Sequence, residues 1–138
     1  MMKILLADDH EAYRRHLRAA LEREPDMTVV GEAADGREAI DLVRRLAPDI
    51  VVMDVMMPEM NGIEATRQIA AAFPAVKVLA LSLHDDGQFV EAMRAAGAAG
   101  YALKEDAPSA LAEALRTVAA GGAWAGPDSS EAGSDGNC

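Results

Sequence analysis

Asp8 and Asp9 stand side by side directly after the apolar run Lys3 to Ala7, and Asp54 follows the run Asp49 to Met53. Ser82 follows Val76 to Leu81, and Lys104 follows Ala99 to Leu103. Carboxylates gathered in a partly shielded place repel one another by several kcal/mol, so a proton or a cation has to offset them. At neutral pH a hard divalent cation does so. An all-oxygen donor set that leaves room for water and a phosphoryl oxygen suits Mg²⁺. Lys104 adds a fixed positive charge where negative charge would build up. This combination suits phosphoryl transfer, with one carboxylate as nucleophile and the cation and Lys104 set against the equatorial oxygens. Asp8 and Asp9, as neighbours, can share the cation, whereas Asp54 ends its run alone and is the expected acceptor.

Taken singly, each group has a plain structural use. An Asp-Asp pair before a helix is an ordinary N-cap, Asp54 ahead of Met56-Met57-Pro58 could serve a turn, Ser82 could cap the next helix, and a lysine is usually a solvated surface residue. Their joint occurrence at the ends of successive apolar runs carries the argument, provided that one fold brings those ends together.

The runs Lys3 to Ala7, Thr28 to Ala33, Asp49 to Met53, Val76 to Leu81 and Ala99 to Leu103 are short and nearly continuous, as strands buried on both faces are. Between and after them, apolar residues recur at helical spacing: Tyr13, Leu17, Ala20 and Leu21; Ala39, Leu42, Val43 and Leu46; Ile63, Thr66, Ile69 and Phe73; Phe89, Met93 and Ala96; Leu111, Ala114, Leu115 and Val118. Pro25, Pro48 and Pro74 fall after helices, and Gly97 and Gly100 flank the entry to the last strand. The alternation predicts an α/β fold of (βα)₅ type, a doubly wound parallel five-stranded sheet with helices on both faces. Ligands of such sheets bind outside the carboxyl ends of the strands, where strand order reverses. All five polar groups belong to that rim.

The 138 residues are 51% apolar and only 4% aromatic, which suits one aliphatic core between layers, and the net charge is −10. Such a surface repels a phosphate backbone unless a basic stripe is segregated. Arg14, Arg15 and Arg18 are interleaved with Glu11, Glu22 and Glu24 and read as a solvated helix face, so no direct nucleic-acid binding is expected. The single cysteine, Cys138, excludes an internal disulfide and a multi-cysteine metal site and fits a reducing cytoplasm. No run is long enough for a membrane span, and Asp8 comes too soon for a signal peptide. From Gly121-Gly122 the pattern ends. Residues 1–122 are expected to form the folded domain, and residues 123–138 a disordered tail or the start of an interdomain linker.

The stretches Ile4-Leu5-Leu6-Ala7-Asp8-Asp9-His10, Asp49 through Asp54 to Asn61-Gly62, and Gly100-Tyr101-Ala102-Leu103-Lys104 resemble response-regulator receiver domains over roughly residues 2–122. Asp-Val-Met-Met-Pro, Gly-Tyr-Ala-Leu-Lys and the ending Leu115 to Gly122 are most similar to the NarL/FixJ subfamily. The resemblance implies a CheY-like, flavodoxin-like strand order 2-1-3-4-5. It implies Asp8 and Asp9 as metal-binding acids, Asp54 as phosphoacceptor and a further ligand, and the backbone carbonyl of Met56 as another protein ligand for Mg²⁺. Ser82 is then the switch hydroxyl, Tyr101 the switch aromatic that fills the space Ser82 vacates, and Lys104 the partner of the phosphoryl group. Met56 and His84 would flank the approach of the hydrolytic water and tune dephosphorylation. The implied partners are a sensor histidine kinase and, on phosphorylation, a second copy of the chain, with the surface of the fourth helix, fifth strand and fifth helix changing shape.

Such a domain is a cytoplasmic switch rather than an enzyme, catalysing only its own phosphorylation and dephosphorylation. Two features depart from the family: Glu105 rather than proline follows Lys104, which disfavours a cis bond, and the sequence stops in what would be the linker to a helix-turn-helix domain. A small-molecule phosphohydrolase would often carry a second carboxylate where Met56 stands. A dinucleotide-binding module would need a glycine-rich loop where Asp8-Asp9-His10 stands.

Overall fold

Each apolar run forms a strand and each periodic segment a helix. The computed structural model describes residues 1–57, 60–82 and 87–121 (residues 87 and 88 as backbone only). In chain order the elements are β1 (Met2–Ala7), α1 (Glu11–Leu21), β2 (Met27–Ala33), α2 (Gly36–Leu46), β3 (Ile50–Asp54), α3 (Gly62–Ala72), β4 (Lys77–Ser82), α4 (Gly87–Ala96), β5 (Gly100–Leu103) and α5 (Pro108–Ala119). All neighbouring strands pair in parallel in the order β2-β1-β3-β4-β5, as expected. The chain runs outward from β1 first to β2 and then back across to β3, so the order reverses beside β1 and β3.

Strand alternation sorts the core into two layers. Ile4, Leu6, Ile50, Val52, Leu79 and Leu81 face Leu17, Leu21, Leu111 and Leu115 of α1 and α5. Leu5, Val51, Met53, Val78 and Ala80 face Val43, Ile69 and Met93 of α2, α3 and α4. Each large aliphatic buried this way contributes roughly 1.5–3 kcal/mol. Phe73, expected inside a helix, is instead the C-cap of α3, although its ring still packs on the second layer.

Asp54 is the last residue of β3 and Ser82 the last of β4, so both are fixed by sheet pairing rather than held on a loop. Among the described residues no peptide bond is cis, including that between Lys104 and Glu105. Residues 123–138, expected to be a tail, lie outside the described residues.

One reading is corrected. Arg14, Arg15 and Arg18 do not form a uniformly solvated face: Arg15 pairs with Glu11 at the surface and Arg18 reaches from the surface to Glu32 of β2, but Arg14 turns inward to Glu32, its side chain only 14% exposed. Glu32 is paired with Leu6 in the β1–β2 register and so points to the α1 side of the sheet. An inward charge on an edge strand attracts its counterions from the covering helix.

Candidate functional site

β1, β3, β4 and β5 end on one rim, and their terminal residues lie within reach of one another. Lys104 Nζ lies 3.0 Å from Asp8 Oδ2 and 3.3 Å from Asp54 Oδ2, joining the ends of β5, β1 and β3. Asp8 is 2% and Asp54 3% exposed. Ser82, equally buried, completes the row, its carbonyl accepting from Lys104 N–H at 2.8 Å. Four of the residues singled out in the sequence are thus brought together. Asp9 sits at the mouth, its side chain about one third exposed.

The turn after β1 is built by Asp8. Its N–H donates to Ala33 C=O at 3.0 Å, and its Oδ1 accepts from His10 N–H at 2.8 Å, turning the chain into α1. The loop after β3 depends on glycine. Gly62 N–H donates to Val55 C=O at 3.0 Å, and a Cβ at Gly62 would lie 2.1 Å from the carbonyl oxygen of Asp54. Gly36 meets the same loop, its N–H donating to Met60 C=O at 3.1 Å. Asn61 caps α3 by accepting from Glu64 N–H at 2.9 Å.

The electrostatics follow from burial. Desolvation, then the Asp8 charge, pushes the Asp54 carboxyl up to about 6, against the opposing pull of Lys104. Met56 N–H, 3.3 Å from Asp54 Oδ1, also favours the ionised form. Among the described residues two buried side-chain polar atoms lack an aligned hydrogen-bond partner, Asp8 Oδ2 and Ser82 Oγ. Asp8 Oδ2 faces the ammonium of Lys104 at 3.0 Å. Asp8, Asp9, His10 and Asp54 each offer a ligand atom, all within 4.8 Å of one another. An under-satisfied buried carboxylate oxygen within a mainly oxygen donor set fits a hard divalent cation.

Other expected residues are placed as follows. Met56 is 58% exposed at the rim. Tyr101 is buried in the layer beneath α2, α3 and α4, so its ring already lies inside. His84 lies outside the described residues.

Two neighbours of the site had no role in the sequence reading. His10 Nδ1 lies 3.3 Å from Asp8 Oδ1, 3.4 Å from Asp9 Oδ1 and 3.4 Å from Lys104 Nζ. Its only signal in the sequence was adjacency to the acidic pair. Tyr13, read as part of an apolar stripe, puts its ring 5.2 Å from Lys104 Nζ and donates its hydroxyl to Lys104 C=O at 3.4 Å. Burial, then the charges of Asp8, Asp54 and Asp106, pushes its phenol up to about 12.

Residues 4–116 match the response regulator receiver domain family. The chain is 44% identical over 126 residues to the transcriptional regulatory protein DegU of Brevibacillus brevis, covering 91% of this chain and 53% of that protein. It is 41% identical over 121 residues to the response regulator UvrY of Escherichia coli, covering 88% of this chain and 56% of the relative. It thus spans about half the length of these curated relatives. Among solved structures, a LuxR-family two-component response regulator from Aurantimonas superposes with a TM-score of 0.87 at 40% identity, covering 94% of this chain and 92% of that one. The receiver domain of the putative response regulator NarL from Mycobacterium tuberculosis gives 0.83 at 31%, covering 87% and 97%. The chain belongs to the response regulator receiver domain family, and its likenesses are of the NarL/FixJ type.

Proposed function

We propose that residues 1–122 act as a phosphorylation switch that takes a phosphoryl group from a sensor histidine kinase onto Asp54. The observation that carries this reading is the bridge of Lys104 between Asp8 and Asp54 in a buried pocket at the strand ends. In the transfer, an oxygen of Asp54 bonds to phosphorus as the bond to the donor's leaving group breaks. Lys104 offsets the charge on the phosphoryl oxygens. Asp8, Asp9, Asp54 and the backbone carbonyl of Met56 would hold Mg²⁺, which when bound supplies further positive charge against those oxygens.

The buried Ser82 hydroxyl, which has no hydrogen-bond partner among the described residues, is suited to donate to a phosphoryl group on Asp54. That bond, with Tyr101 held inside, would favour one arrangement of the α4, β5 and α5 surface over another. The phosphorylated chain would then pair with a second copy. Relatives named as transcriptional regulators support a transcriptional output through a further domain. A solved relative of 26% identity is described as RcsB dimers bound to DNA, which supports dimer pairing in that output. A cytoplasmic setting fits a kinase partner, and among the described residues no helix is long and apolar enough to cross a membrane.

Calorimetric Mg²⁺ titration of wild type, Asp8→Ala and Asp9→Ala tests the cation site. Both variants should bind more weakly, Asp9→Ala by the larger factor. Unchanged affinity in both would remove the acidic pair from the site.

A further inference from the structure

We propose that Arg14 and Glu32 form a positioning device that fixes the Asp8–Asp9 turn and thereby sets its affinity for a divalent cation, an inference whose second half rests on the Mg²⁺ site proposed above. The turn has three anchors. Asp8 N–H is held by Ala33 of β2, and Asp8 Oδ1 by His10 N–H. The Asp8 carbonyl accepts from Nη1 of Arg14. Arg14 is held in turn by Glu32, Nε to Oε1 at 2.6 Å. Glu32 precedes Ala33 in β2, so a closed ring runs from Asp8 through Ala33, Glu32 and Arg14 back to the Asp8 carbonyl.

A plain helix-to-strand ion pair would not need this arrangement, because Arg18 already ties α1 to Glu32, Nη1 to Oε2 at 2.6 Å. Arg14 adds the bond to the peptide that leads into Asp9. Its guanidinium presents donors in a rigid fork, so it can hold Glu32 and the carbonyl at once, whereas a lysine ammonium on a flexible stem serves both poorly. Groups that orient ligands in this way commonly change metal affinity by about 10- to 100-fold when removed.

Electrostatics alone predicts the opposite sign. Deleting a cation beside an acidic site strengthens attraction for a dication. The test is therefore Mg²⁺ titration of wild type, Arg14→Met and Arg14→Lys, with amide hydrogen exchange of the metal-free proteins. The device predicts a Kd raised about tenfold in Arg14→Met and raised in the same direction in Arg14→Lys. It also predicts faster exchange at the Asp9 and His10 amides, with β3 amides unchanged. Unchanged or tighter Mg²⁺ binding together with unchanged exchange at the turn overturns it. Arg14→Lys retains the charge facing Glu32 and decides the matter if Arg14→Met does not fold. Should wild type fail to bind Mg²⁺, the cation reading falls, while exchange at Asp9 and His10 still accepts or rejects the positioning role.

Discussion

Asp54 holds a charge that its surroundings resist when no cation is present. Burial, then the Asp8 charge, pushes its carboxyl up to about 6 from an ordinary 3.8. Between those values the folded chain keeps a proton that the unfolded chain releases, so stability falls as pH rises through that window. The gap corresponds to about 3 kcal/mol at most. In the presence of a chelator, urea unfolding from about pH 4.5 to about pH 7.5 should show wild type losing stability and Asp54→Asn losing less. At the upper pH, Asp54→Asn should be the more stable protein by about 1–3 kcal/mol. A less stable Asp54→Asn would mean that Lys104 outweighs burial and Asp8.

Beside Asp54, Met56 lies at the rim with no side-chain amide to orient a hydrolytic water. Met56→Asn should speed loss of the phosphoryl group by roughly fivefold, the worth of about one hydrogen bond in the barrier. Decay followed by mass spectrometry after donor removal measures it, and an unchanged rate would remove the tuning role of Met56. The polar types at strand ends made Asp8, Asp9, Asp54, Ser82 and Lys104 legible in the sequence. The inward turn of Arg14 was not, because helical charge interleaving looks the same whether an arginine faces solvent or an edge-strand glutamate.

At the scale of elements, the site depends on how closely α3 approaches the end of β3. Gly62 is the first residue of α3, where alanine would ordinarily be the better helix former by about 1 kcal/mol. Here the added Cβ would meet the Asp54 carbonyl oxygen at 2.1 Å, so the sign reverses. Gly62→Ala should cost about 2–4 kcal/mol in urea unfolding and should weaken Mg²⁺ binding, because relief of the clash moves the backbone of Asp54. A neutral or stabilising effect would show that the loop yields freely. The Asn61-Gly62 pair was visible in the sequence as part of a motif, but the reason for the glycine needed the backbone contact. Periodicity alone revealed the order of the ten elements, because aliphatic runs on a doubly covered sheet differ so clearly from amphipathic helices. It could not give the register of the strands, since pairing depends on the neighbouring strand.

For the whole molecule, a net charge of −10 and the pairing of Arg14 and Arg18 with Glu32 leave little for a phosphate backbone to meet. A mobility-shift assay at about physiological salt should show no specific duplex binding by this chain; a sequence-specific shift would contradict that reading. The capacity proposed for the chain is to hold a phosphoryl group at the rim of its sheet, and one measurement addresses it directly. Wild type and Asp54→Asn are incubated with acetyl phosphate, with Mg²⁺ and with chelator, and their intact masses are recorded. Wild type should gain a single phosphoryl group only with Mg²⁺, and Asp54→Asn should gain none. Equal labelling of Asp54→Asn, or labelling of wild type that is indifferent to chelator, would contradict the account.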